Sequence, residues 1–223
     1  MIIAIDGPSG AGKSTVAKRV GKKLGILYLD TGAMYRAFTL YAIERVVDLH
    51  NHKALEKALA ECDISMNGHT VYLNGRDVSS EIRNTEVTDR VSYISSLPFV
   101  RKKMVELQRI MGKNRDVVAE GRDIGTVVFP ETPYKFYLDA AIEERARRRY
   151  TDEKNVSSGL GIESIISRIE RRDRFDSTRE LSPLKKASDA HYIDSTGLTV
   201  DRVVDIIIKK VKEEERGVVS NGE

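Results

Sequence analysis

Residues 7–14 read Gly-Pro-Ser-Gly-Ala-Gly-Lys-Ser, the pattern G-x-x-x-x-G-K-[ST], set between an apolar run at 2–5 and a helix-forming run from 15 onward. No other feature restricts the fold as strongly, because the pattern works only as a turn between a buried strand and a helix N-terminus. Its glycines let consecutive backbone N–H groups face inward toward phosphate oxygens. The helix behind them adds about half a positive charge of dipole. Lys13 can reach the β- and γ-phosphates, and the Ser14 hydroxyl can bind Mg²⁺. The competing reading is a glycine-rich turn that meets the pattern by chance, and the strand-to-helix setting speaks against it. The chain is therefore expected to bind a nucleoside triphosphate through Gly7, Pro8, Ser9, Gly10, Ala11, Gly12, Lys13, Ser14 and Thr15.

At 223 residues and 40% hydrophobic content the chain suits one α/β domain with an insertion. A net charge of +3 does not announce a nucleic-acid partner. The single cysteine, Cys62, excludes an internal disulfide and fits a reducing compartment. With four histidines and neither C-x-x-C nor H-E-x-x-H, a zinc site is not expected. No apolar run approaches the roughly 20 residues of a membrane span, and the start lacks a signal-peptide pattern. A cytoplasmic protein without a membrane partner is expected.

Hydrophobic patterning predicts short core strands at 2–5, 26–29, 117–120, 134–138 and 192–194. Helices are predicted at 14–24, 33–47, 53–61, 78–82, 84–95, 98–113, 139–151, 162–176 and 199–215. Such alternation implies a parallel sheet with ligands at the strand C-terminal ends, where the polar clusters 7–14, 30–36, 121–123 and 194–196 fall. The stretch 64–113 breaks the alternation with a hairpin signal at Asn67-Gly68, so it reads as an insertion. Residues 1–63 and 114–216 would form the core, 152–161 a mobile loop, and 217–223 a flexible tail.

Switch proteins, motors and small-molecule kinases all use such a phosphate loop. The chain has no N-K-x-D element for reading guanine, and no predicted strand ends in the acidic pair of a motor. It is rich instead in arginine: Arg36, Arg101, Arg122, Arg145, Arg147, Arg148, Arg149, Arg168, Arg171, Arg172, Arg174 and Arg179. Some of these could simply be solvated helix faces with i,i+4 partners such as Glu144–Arg148. Taken together with a phosphate loop, they suit phosphoryl transfer between two phosphorylated substrates. That reaction crowds negative oxygens into one cleft, and guanidinium binds them bidentately. An RNA-binding module is the rival from another class; the modest net charge and the lack of aromatics among the arginines count against it.

Four segments together resemble the bacterial cytidylate kinases: 7–13, Leu-Asp-Thr-Gly-Ala-Met-Tyr-Arg at 29–36, Gly-Arg-Asp-Ile-Gly-Thr-Val-Val-Phe-Pro at 121–130, and Arg-Asp-Arg-Phe-Asp-Ser-Thr-Arg at 172–179. The closing Asp194-Ser195-Thr196 agrees, and the resemblance spans residues 1–212. It implies a P-loop three-layer α/β fold with a parallel sheet, a nucleoside-monophosphate-binding insertion at 64–113 and a lid at 148–170. It also implies transfer of the ATP γ-phosphoryl group to CMP or dCMP with Mg²⁺, by a monomer that binds no nucleic acid. UMP, AMP or a non-nucleotide such as shikimate are the rival acceptors.

Residue roles follow from the same resemblance. Asp123 and Arg101 match the base-reading residues, with Ser92 as a third contact. A carboxylate can accept the cytosine amino proton while an arginine donates to N3 and O2. Asp123 could alternatively be a plain helix N-cap. Arg36, Arg122 and Arg179 would hold the acceptor phosphate, with Thr31 and Tyr35 nearby, although Tyr35 also fits a core stripe. Arg172 and Asp176 match sugar contacts. Lys13, Arg122 and a lid arginine, Arg148 or Arg149, would stabilise the transferring group. Ser14 would bind Mg²⁺ directly, where some relatives have glycine, and Asp30 would join through water or simply cap the next helix.

Overall fold

The computed structural model describes residues 1–151 and 161–220. The chain divides into two compact units, 1–27 with 115–223, and 28–114. By packing, the second unit takes in the helices before residue 64 as well as the 64–113 stretch.

The first unit holds strands β1 (Ile2–Asp6), β6 (Val117–Gly121), β7 (Tyr134–Asp139) and β8 (His191–Asp194); β2 (Leu27–Asp30) enters the sheet edge where the Leu27 N–H donates to the Asp116 carbonyl at 2.9 Å. Sheet order is β2-β6-β1-β7-β8, and β1 pairs in parallel with both β6 and β7. The central strands are continuous apolar runs because both faces are covered. Ile3, Ala4, Ile5, Val117, Val118, Ala119, Phe136 and Leu138 are all but fully buried. Helix α1 (Lys13–Leu24) covers them with Val16, Ala17 and Val20, beside α8 (Val200–Ser220) with Val203, Val204 and Ile207. The register sets Asp6 opposite Gly121 on one side and Tyr137 on the other. One end of the sheet thus gathers the phosphate loop, the turn after β6 and the Ser195 segment after β8. Helices α6 (Ile142–Tyr150) and α7 (Ile162–Thr178) make a separate small core from Ala146, Ile165 and Ile169.

The second unit is built on α2 (Thr31–Glu44), whose Ala33, Met34, Ala37, Phe38 and Tyr41 are buried. It also contains α3 (His52–Ala60), α4 (Thr85–Ser96), α5 (Pro98–Gly112) and the antiparallel strands β3 (Ile64–Asn67), β4 (Thr70–Leu73) and β5 (Arg76–Asp77). The hairpin turn carries Gly68 at φ 60, a left-handed conformation natural to glycine.

Several boundaries differ from the sequence reading. Helix α2 starts two residues earlier than predicted, because the Asp30 side chain caps it by accepting the Ala33 N–H at 2.9 Å. The short helix predicted at 78–82 is a 3₁₀ turn at Glu81–Arg83. A π-turn at Ile124–Val128 follows β6, which periodicity did not register. Helix α8 extends to Ser220 rather than ending at 215, helped by pairs such as Lys210–Glu213 at 2.9 Å. The loop predicted at 152–161 lies, apart from Gly161, outside the described residues. No helix among the described residues is long and apolar enough to cross a membrane.

Candidate active site

In the first unit the chain turns directly from Asp6 into the phosphate loop. A Cβ on Gly7 would lie 2.0 Å from the Leu138 carbonyl oxygen, so only glycine lets β1 pass β7 into the loop. Gly12, at φ 89, opens α1. Lys13 is 5% exposed and folds back to donate to the Pro8 carbonyl at 2.7 Å. Burial first, and then the charges of Arg122 and Arg172, push its ammonium down to about 7, with Glu120 and Asp173 pulling the other way. Two guanidinium groups and two carboxylates thus act on one buried lysine at the phosphate loop.

Ser14, at the first turn of α1, donates through Oγ to Glu120 Oε1 at 2.6 Å. Glu120, the penultimate residue of strand β6, is buried, so a hydroxyl and a carboxylate meet at the phosphate loop. This pair suits Mg²⁺, a hard cation that takes one or two protein oxygens and completes its shell with water and phosphate. Groups of three or more His, Cys, Asp or Glu side chains able to hold a metal alone do not occur among the described residues.

Ser9 is clasped on three sides. Its N–H donates to Asp173 Oδ1 at 2.8 Å, its carbonyl accepts from Arg145 Nη1 at 2.9 Å, and its hydroxyl accepts from Arg149 Nη1 at 2.8 Å. Arg145 also pairs with Asp173. Arg148 donates to the Ala11 carbonyl at 3.3 Å and to the Ser195 carbonyl at 2.7 Å, as well as to Glu144 at 2.9 Å. The i,i+4 pairing expected of a solvated helix face is present, yet the same guanidinium reaches the phosphate loop.

A second cluster centres on Asp176 of α7. Its carboxylate accepts from Arg122 Nε at 2.9 Å and lies 3.6 Å from Arg179 and 4.0 Å from Arg172. Arg179 also stands 3.9 Å from Asp123. Burial works against the Asp176 carboxylate, but Arg122, Arg172 and Arg179 outweigh it and hold its pKa below the ordinary aspartate value. Arg122, Asp123, Arg172, Asp176 and Arg179, singled out from two separate segments, are thus brought together.

Beside this cluster, Asp6 accepts the N–H groups of Ile124 and Gly125, each at 2.8 Å. Burial lifts its carboxyl to about 7 despite those two bonds, with Asp123 adding to the rise and Lys13 opposing it. Asp123 occupies the N-cap position of the π-turn without making a side-chain cap bond, so the plain N-cap reading fails.

In the second unit, Arg36 donates to Thr88 Oγ1 at 2.9 Å and to the Ile82 carbonyl at 3.2 Å. Arg101, 4% exposed, donates to the Ser95 carbonyl at 2.9 Å, and its guanidinium lies 5.3 Å from the centre of the Tyr35 ring. Ser95 in turn donates to the Ser92 carbonyl at 3.0 Å. Arg101, Tyr35 and the α4 serines therefore form one buried group, with Tyr35 in the core as well as beside a candidate ligand residue. Thr31 is buried at the start of α2, and Asp30 combines its cap with a pair to Arg83 at 3.3 Å.

Sequence reasoning missed Asp6, Glu120 and Asp173, and gave Arg145 no role. Glu120 carried a signal, an acidic residue closing an apolar strand. Asp173 lay inside a recognised motif without an assigned partner.

The family model for cytidylate kinase matches residues 3–213. A cytidylate kinase of Fusobacterium nucleatum is 45% identical over 213 residues, covering 96% of this chain and 98% of that protein. One from Anoxybacillus flavithermus is 48% identical over 221 residues, covering 96% and 97%. In fold, the chain resembles a gluconokinase from Sinorhizobium meliloti 1021, with a TM-score of 0.52 at 11% identity over 99% of this chain and 97% of that one.

Proposed function

The chain belongs to the cytidylate kinase family, and from that premise we propose which of its residues perform the phosphoryl transfer. The activity is that of a nucleoside monophosphate kinase, moving the γ-phosphoryl group of ATP to CMP. The supporting observation is the convergence of Lys13, Arg148 and Arg149 on the phosphate loop, donors suited to the oxygens of a triphosphate.

In this reading the N–H groups of residues 7–15 and Lys13 bind the ATP phosphates. Arg36, Arg122 and Arg179 hold the acceptor phosphate, with Thr31 and Tyr35 beside it. Arg172 and Asp176 take the sugar, and dCMP is accepted with CMP. Arg101 donates to N3 and O2 of cytosine and Asp123 accepts its amino proton, with Ser92 as the third contact. Uracil presents a carbonyl where cytosine has the amino group, so Asp123 would face it with an unpaired charge. Such a mismatch costs about 1–3 kcal/mol or more when water is excluded.

An oxygen of the CMP phosphate attacks the γ-phosphorus in line, the bond to the β-phosphate oxygen breaks, and ADP leaves. The nucleophile is already an anion, so no general base and no covalent enzyme intermediate are needed. Lys13, Arg122, and Arg148 or Arg149 balance the charge spread over the transferring group. Mg²⁺ would be held by Ser14 with Glu120 beside it, and by Asp30 through water, and would neutralise phosphate charge. Closure over ATP is assigned to a lid spanning 148–170, and the base-binding element to the 64–113 insertion. We place the protein in the cytoplasm as a monomer acting on nucleotides, not nucleic acid; its single cysteine fits a reducing compartment.

Initial rates of ADP release with Mg-ATP and CMP, dCMP, UMP, AMP or GMP test the assignment. Turnover confined to CMP and dCMP is expected. Equal turnover with UMP would overturn the role given to Asp123 and Arg101.

A further inference from the structure

An aspartate before a helix ordinarily spends its carboxylate on the helix's own first N–H groups. Asp123 stands in that position, at φ −146 and ψ 25, and makes no such bond. The two N–H groups that open the π-turn are instead taken by Asp6, 2.8 Å from Ile124 N with one oxygen and 2.8 Å from Gly125 N with the other. The sheet register makes this possible, because Asp6 lies opposite Gly121 at the base of the same turn. Gly125 leaves room for it: a Cβ there would come within 3.4 Å of Asp6 Oδ2 and 3.2 Å of the Lys135 stem. Asp6 is buried and both of its carboxylate oxygens are taken by backbone N–H groups.

We propose that Asp6 is a positioning residue, a cap supplied from the neighbouring strand that relieves Asp123 of capping its own π-turn and so leaves the Asp123 carboxylate to read the base. Resting on the base-reading role of Asp123, this assignment extends the specificity determinants to a residue that never touches CMP. Asp6 presents one oxygen to each of the two N–H groups, whereas an Asn or Ser offers a single acceptor oxygen. Without Asp6, the Gly125 N–H is open to Asp123, which stands at the N-cap position of the same turn. Its carboxylate would swing back into the ordinary N-cap geometry and away from the ligand.

The test is a double-mutant cycle on kcat/KM for CMP and UMP. Asp6→Ala is expected to lower kcat/KM for CMP about 100-fold, mainly through KM, and to lower the CMP-to-UMP ratio at least 10-fold, the magnitude of a lost hydrogen-bonding readout. Asp6→Asn keeps one acceptor and should lose less of both. In an Asp123→Ala background, adding Asp6→Ala should cost under about 3-fold, because the group it serves is already gone. Costs that multiply across the two backgrounds, or a CMP-to-UMP ratio unmoved by Asp6→Ala, would overturn the proposal and leave Asp6 a purely structural cap. A ratio unmoved by Asp123→Ala alone would instead reject the base-reading role. A crystal structure of Asp6→Asn or Asp6→Ala decides the cap exchange independently. The expected finding is the Asp123 carboxylate on the Gly125 or Thr126 N–H; an Asp123 left in its present position refutes it.

Discussion

Asp6 and Asp176 are equally buried, each 4% exposed, and they titrate in opposite directions. Asp6 is held by two backbone amides, which are dipoles without net charge, and burial wins: its pKa rises to about 7. Asp176 has Arg122, Arg172 and Arg179 around it, and their charge outweighs the same burial. The first site is scaffold, complete as it stands. The second gathers three guanidinium groups around Asp176, with Asp123 also 3.9 Å from Arg179, donors suited to a phosphate. What separates a positioning carboxylate from a ligand-site carboxylate in this molecule is the charge of the neighbours, not the depth of burial.

The largest expected effect comes from the residue whose charge acts near both sites. Lys13 opposes the rise at Asp6 and feels Arg122 and Arg172. Lys13→Ala should lower kcat by about 10²–10³-fold while leaving the melting temperature of the nucleotide-free protein unchanged or raised, since it removes a buried ammonium whose charged form burial disfavours. Stopped-time assays and thermal melts check both halves. Retained activity would remove the phosphate loop from the transfer.

Asp176→Asn should come next, costing about 3 kcal/mol of stability because it leaves three guanidinium groups with too little counter-charge. Sulfate or CMP should restore much of that loss by supplying the missing anion. Urea melts at one fixed sulfate concentration distinguish this from a packing defect: sulfate should stabilise the variant more than wild type, because the variant's unbalanced guanidinium groups bind it more tightly. A loss untouched by sulfate would break the contrast between the two carboxylates.

The legible parts of the site were those written in consecutive residues. Gly7 to Ser14 form a loop because their order dictates the backbone, and Arg172 to Arg179 share a helix because of their spacing. The fold class followed from short apolar runs alternating with helical stripes, which a parallel sheet buried on both faces requires. What stayed hidden depends on strand order. Ser14 meets Glu120 across 106 residues, Asp6 caps a turn 118 residues away, and Asp173 reaches Ser9 over 164. Each contact exists because β6 lies beside β1, or because α7 returns to the loop, and no local pattern encodes either. The π-turn escaped for a related reason: its opening N–H groups are satisfied by Asp6, so Asp123 shows no cap in the structure although its sequence position suggests one.

The smallest effect is the most selective between the two carboxylates. Unfolded, both titrate near 3.8, whereas folded Asp6 holds its proton up to about 7. Across that window the folded state binds a proton that the unfolded state has released, so stability falls as pH rises. Asp176 behaves inversely: its contribution is fully present above the ordinary aspartate range and is lost as pH falls through its depressed folded value, so it is silent near neutrality. Between pH 5.5 and 6.5 wild-type stability should drop by about 1 kcal/mol through Asp6, which is about 2–4 °C at this chain length. Asp6→Asn should abolish that component, while Asp176→Asn should retain it. The other ionisable groups are common to all three proteins, so the difference between melts isolates the aspartate. If wild type and Asp6→Asn change in parallel with pH, the Asp6 carboxylate is ionised throughout. The two amides would then be holding it as firmly as the three arginines hold Asp176, and dipoles would have matched charges.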